Sequence, residues 1–121
     1  MRIHHVALRT SDVPRLEAFY AGILGLRVIR RDGTRSVWLD AAGAILMVEE
    51  RSDAEPGVPP GSRDLLAFDV AGEDCVQCMN RLEKANLSVE SRTLHTVYLR
   101  DPDGRRIGLS VYPALLAQHH V

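Results

Sequence analysis

Few side chains in this sequence could do chemistry, and they are spread along its length. His5 lies in an alternating apolar run near the start, and a neutral imidazole can ligate a divalent ion or act as a base. Tyr98 offers a phenol and Thr96 a hydroxyl, Trp38 supplies the one indole, and Glu49 closes the run Ile45–Glu49. His5 as base and Tyr98 as acid are a chemically suitable pair, and they are the candidate catalytic residues. Cys75-Val76-Gln77-Cys78 has the spacing of a metal-binding pair. A structural zinc needs a second pair, however, and both thiols fall on the apolar stripe of their segment, so they read as small buried hydrophobes. A redox role for Cys75 would draw on its position close to a helix N-terminus. His119 and His120 sit in a polar tail and are not read as ligands.

The elements that position these residues follow from hydrophobic period. Residues 2–9 alternate as a strand, with Ile3, His5 and Ala7 on one face and His4, Val6 and Leu8 on the other. Ser11 or Asp12 caps a helix with Pro14 in its first turn. Leu16, Phe19, Tyr20, Ile23 and Leu24 form its apolar face, and Gly25 ends it in a left-handed cap. Three strands follow at 26–31, 35–40 and 44–49, with turns at Asp32-Gly33 and Ala42-Gly43. Residues 51–63 hold Pro56, Pro59, Pro60, Gly57 and Gly61 without apolar period and read as a linker. The pattern then restarts. There is a strand at Leu65-Leu66-Ala67-Phe68 and a helix from about Gly72 to Ala85, with Asn86-Leu87 standing where Gly25-Leu26 stood. Strands at 88–92, 94–100 and 105–112 follow, the last two joined through Asp101-Pro102-Asp103-Gly104.

The order βαβββ thus occurs twice, about 60 residues apart. The chain is read as one α+β domain over 1–121: module one at 2–50, linker 51–63, module two at 64–112 and a tail at 113–121. Each helix must cover one sheet face, which leaves the other faces of two curled mixed sheets to enclose a ligand cavity. Parity places His5, Ala7, Trp38, Ile45, Met47, Glu49, Leu65, Thr96, Tyr98 and Gly108 on that inner side. Val97, Leu99, Ile107, Leu109 and Val111 become core. His95 shares their parity, so it would turn inward only at a bulge.

His5-Val6-Ala7-Leu8, Ser11-Asp12-Val13, Phe19-Tyr20 and Leu24-Gly25-Leu26 are similar to the first βα unit of the glyoxalase/bleomycin-resistance/dioxygenase (vicinal oxygen chelate) superfamily. Tyr98-Leu99-Arg100-Asp101-Pro102-Asp103-Gly104 looks like its signature near the end, and the resemblance covers roughly residues 2–112. It implies a divalent ion held by His and Glu on the inner sheet faces, with open positions for vicinal oxygens of a substrate. Carried over by position, the first-strand histidine is His5. The fourth-strand carboxylate position is Met47, the first-strand position of the second half is Leu65, and the last-strand position, four residues after Gly104, is Gly108. One ligand out of four does not hold a catalytic metal, so none is expected, and no cofactor. If an ion is present, His5 with Glu49 is the pair to hold it.

The resemblance therefore implies a small-molecule binder of the bleomycin-resistance kind, which sequesters a cationic drug in an acidic, aromatic cleft without chemistry. Glu49, Glu50, Asp53 and Glu55 lie near one rim. The fosfomycin-resistance members place a substrate-touching tyrosine where Tyr98 stands. The alternative is a metal-dependent lyase, isomerase or dioxygenase of the glyoxalase type, with a divalent metal ion as cofactor. A homodimer is expected, because small members complete their cavity across a two-fold axis and two half-sheets leave edge strands to cover.

Composition narrows the partners. With 121 residues, 45% hydrophobic and 26% charged, the chain can build a core without staples. A net charge of −1 and scattered arginines argue against nucleic acid. No apolar run approaches the roughly 20 residues of a membrane span. No signal peptide is visible, and the cytoplasm is the expected compartment. Two cysteines are too few for a disulfide framework.

Overall fold

A computed structural model of the chain describes residues 1–117; His119 and His120 lie outside the described residues. The chain divides into two compact units at Gly57/Val58. The first contains β1 (His5–Thr10), α1 (Val13–Glu17), a π-helical continuation (Ala18–Ile23), β2 (Arg27–Asp32), β3 (Ser36–Asp40) and β4 (Ile45–Glu50). The second contains β5 (Leu65–Asp69), α2 (Gly72–Lys84), β6 (Ser91–Arg92), β7 (Thr96–Arg100) and β8 (Arg106–Ser110). Each unit holds one mixed four-stranded sheet, ordered β1-β4-β3-β2 and β5-β8-β7-β6. In each, the first and last strands pair in parallel and the remaining pairs are antiparallel. The fold is two βαβββ modules, and neither sheet closes into a barrel.

The first helix starts where the Asp12 carboxylate accepts the amide of Arg15 at 3.1 Å. It does not remain α-helical to Leu24. From Ala18 it widens, and the Leu24 amide bonds the Phe19 carbonyl five residues back at 3.0 Å. The wider turn brings two adjacent aromatics into the core: Phe19 and Tyr20 are both buried, their rings edge-to-face at 5.1 Å. Gly25 (φ 84°) and Asn86 (φ 59°) then turn the chain left-handed at equivalent points of the two modules. Helix α2 carries Glu73 and Asp74 in its first turn and Arg81 and Lys84 in its last, complementing its dipole.

The alternation holds in both sheets. Leu8, Val37, Leu39, Leu46 and Val48 are buried on one side of the first sheet together with Leu16, Phe19 and Tyr20, and α1 packs on β3 and β4. Val97, Leu99, Ile107 and Leu109 are buried in the second sheet, as are Cys75, Cys78 and Leu82 of α2. Strand β6 is far shorter than expected, two residues in place of five. The stretch read as a linker divides between the units. Its first part is fastened to the first unit: the Arg51 amide bonds the Thr10 carbonyl at 2.9 Å, Arg51 Nη1 bonds the Glu55 carbonyl at 2.8 Å, and Arg9 Nε bonds Glu55 Oε2 at 3.1 Å. Among the described residues no helix is long and apolar enough to cross a membrane.

Candidate functional site

In the first unit, registry lays the helix-free face out in rows. Ala7 is opposite Met47 and Met47 opposite Trp38; His5 is opposite Ile45 and Ile45 opposite Asp40. The strands thus bring His5, Ala7, Trp38, Ile45 and Met47 onto one face, as parity requires. The Arg30 guanidinium lies over the Trp38 ring at 4.9 Å, a cation–π contact. Trp38 Nε1 and Ser36 Oγ are buried without a hydrogen-bond partner, so two unused polar groups sit on neighbouring same-face positions of β3. The Asp40 carboxyl is held below its usual range by the Ala42 amide and then by Arg27.

His4 precedes β1 and is exposed. Its carbonyl accepts the Ile45 amide, and its ring stands edge-on to His5 with Nδ1 to Nδ1 at 2.9 Å. The sequence pattern gave no sign of this pair. Glu49 is not placed to share an ion with His5. It is opposite Arg9, four residues further along the ladder, a separation of about 13 Å. Arg9 Nη1 also pairs with it at 3.6 Å.

In the second unit, Leu65 is opposite Arg106, Ala67 opposite Gly108, Tyr98 opposite Gly108 and Thr96 opposite Ser110. Leu65, Thr96, Tyr98 and Gly108 therefore share the helix-free face. Thr96 Oγ1 donates to Ser110 Oγ at 3.0 Å. Gly108 is crowded: a Cβ there would lie 3.2 Å from Ala67 Cβ, 3.4 Å from Thr96 Cγ2 and 3.5 Å from Leu65 Cδ1. The sequence reading passed over Arg106, whose guanidinium lies 4.2 Å above the Tyr98 ring. Its signal was available, since Arg106 has the parity of Gly108 and Ser110. His95 precedes β7 and does not join the face. Its Nδ1 is 2.6 Å from the Ala114 carbonyl and its ring packs on Tyr112.

The donor set does not fit a resident divalent ion. Of the four positions where the superfamily supplies ligands, His5 alone carries a strong donor; Met47 has a weak thioether, and Leu65 and Gly108 have no donor side chain. Among the described residues no three His, Cys, Asp or Glu side chains are grouped to hold a metal. Nor do the thiols suit nucleophilic work: Cys75 and Cys78 are 4% and 2% exposed, and burial first of all pushes both pKa values up. A cavity of about 190 Å³ does occur in the second unit, but on the helix side of the sheet. It is lined by Cys75, Met79, Val97, Val111 and Leu116 among others, and by none of the residues placed on the helix-free face.

With the geometry in place, the likenesses to known proteins are specific. The virulence protein STM3117 of Salmonella typhimurium is 27% identical over 123 aligned residues, covering 92% of this chain and 84% of that protein. Among solved structures, a glyoxalase/dioxygenase from Nostoc punctiforme superimposes with a TM-score of 0.74 at 22% identity, covering 89% of this chain and 88% of that one. A possible glyoxalase from Bacillus cereus gives 0.72 at 24% identity, covering 91% and 98%. These two share the fold. The family description "Glyoxalase/Bleomycin resistance protein/Dioxygenase superfamily" matches residues 2–109, nearly the whole chain, and the chain belongs to that superfamily.

Proposed function

We propose that the protein binds a small organic molecule on the helix-free sheet faces and does so without the superfamily's full catalytic metal set. One observation carries this reading: three of the four ligand positions hold Met47, Leu65 and Gly108, and the fourth is His5. What remains on the faces suits recognition. Trp38 and Tyr98 provide aromatic area, each with a guanidinium stacked on it, and Thr96 provides a hydroxyl. Met47 and Ile45 supply apolar surface beside Trp38 and His5 on the first sheet. The alternative, a metal-dependent lyase, isomerase or dioxygenase, requires donors that these positions lack.

Elemental analysis of protein purified without added metal tests the reading. The expected result is metal well below one equivalent per chain. Stoichiometric zinc, nickel, iron or manganese that is lost in His5→Ala would overturn it.

A further inference from the structure

Three arginines flank the Asp101–Gly104 turn, and two of them are fully engaged. Arg100 bonds both oxygens of Glu90, at 2.9 and 3.0 Å, and the Gly104 carbonyl at 3.1 Å. Arg105 pairs with Asp101 at 3.3 Å and Asp103 at 3.2 Å. Arg106 differs. Its side chain is 14% exposed, and its buried Nε has no hydrogen-bond partner. The carboxylate oxygen within reach, Glu90 Oε2, is 3.9 Å away and already accepts from Arg100. A guanidinium cannot shed its charge, so leaving its buried Nε–H without an acceptor is unfavourable. Such a side chain is tolerated where something else supplies the acceptor.

The surroundings indicate what that acceptor belongs to. Arg106 lies on the helix-free face of the second sheet, directly across the ladder from Leu65, which is 44% exposed. The Tyr98 ring holds the guanidinium from one side, leaving its N–H edge for in-plane partners. An apolar side chain and an aromatic ring beside a planar cation with an unused buried donor match an apolar body ending in one planar anion. Resting on the ligand-binding reading above, we propose that Arg106 anchors the carboxylate of a small organic acid on this face. A carboxylate presents two in-plane oxygens to the guanidinium fork and one negative charge where Arg100 and Arg106 together face the single carboxylate of Glu90. A phosphonate, with a higher charge, would call for a second cation, and Arg100 and Arg105 are committed to Glu90, Asp101 and Asp103. The face would then select against cationic ligands.

The test uses four matched probes on the full chain near pH 7: benzoate, benzamide, benzylamine and phenylphosphonate, followed by ¹⁵N NMR including the arginine Nε–H resonances. Benzoate is expected to bind at least about tenfold more tightly than benzamide, shifting Arg106 Nε–H together with β5 and β8 amides. Arg106→Gln should abolish that preference, and Arg106→Lys should keep part of it. If Arg106→Gln does not fold, the wild-type Nε–H titration decides. Benzoate binding no better than benzamide overturns the anchor, as does an unshifted Arg106 or unchanged affinity in a folded Arg106→Gln. Tighter binding of phenylphosphonate overturns the assignment to a carboxylate. Should benzamide or benzylamine move the same face while benzoate gains nothing, the ligand-binding reading stands and only the anchor falls.

Discussion

Gly108 sits across the parallel β5–β8 pair from Ala67, with room for a Cβ only 3.2 Å from that alanine's own. The last-strand ligand position is therefore closed by packing as well as lacking a donor. Gly108→Glu is expected to destabilise the protein by about 1–3 kcal/mol, the usual cost of overpacking, and to bring no metal with it. Urea denaturation and elemental analysis measure the two effects. A variant as stable as wild type, or one that takes up an equivalent of zinc, would contradict this packing argument.

Acid should loosen the tie between the 51–57 segment and β1. Arg9, and then the Ser52 amide, hold the Glu55 carboxyl at about 2, below its ordinary 4.5. A carboxyl whose folded pKa is depressed adds stability that is complete above the unfolded value and disappears as pH falls through the folded one. The stability difference between wild type and Glu55→Gln should therefore be largest above about 4.5 and shrink towards pH 2. Thermal unfolding followed across that window reads it. A difference that does not vary with pH would show that the Arg9–Glu55 pair contributes nothing to the folded state.

Both thiols should be inert in the folded protein. Burial raises their pKa values, so the thiolate is scarce at neutral pH, and little of either side chain is accessible. Ellman's reagent should react with neither Cys75 nor Cys78 until denaturant unfolds the chain. Rapid native labelling of Cys75 would revive a redox role for it.

The homodimer expectation can be settled in solution. Each sheet has two edges, β1 and β2 in the first unit and β5 and β6 in the second. Unpaired edges favour association with another copy. Light scattering at micromolar concentration should give twice the chain's 13.4 kDa. A mass that stays at the single-chain value as concentration rises excludes the dimer.

What the sequence made legible was whatever depends on period and on turn chemistry. Strict alternation in β1, β4, β7 and β8 marks the two faces of each sheet, and Trp38 shares its face with Ser36 and Asp40 by parity. Asp32-Gly33 and Ala42-Gly43 marked their turns because Gly33 and Gly43 take positive φ. The rest escaped for physical reasons. A π-helical turn leaves no distinct mark when Phe19 and Tyr20 fit an α-helical face equally well. The 51–57 segment looked like a linker because its order comes from Arg9 and Arg51, charged residues that carry no periodic signal. Arg106 was missed because a charged residue beginning a strand reads as solvated, although its side chain is 14% exposed.

The two sheets repeat one strand order, so positions on β1, β3 and β4 have counterparts on β5, β7 and β8. Ala7, Met47 and Trp38 correspond to Ala67, Gly108 and Tyr98; His5, Ile45 and Asp40 correspond to Leu65, Arg106 and Arg100. A chain of this design uses one frame twice. A duplicated frame frees each copy from the other's obligations: a residue lost from one half need not be lost from both. Here the first half has an imidazole where the second has leucine, and the second has arginines where the first has isoleucine and aspartate. The halves are chemically unlike while their strand order is the same, so one frame carries two differently charged faces.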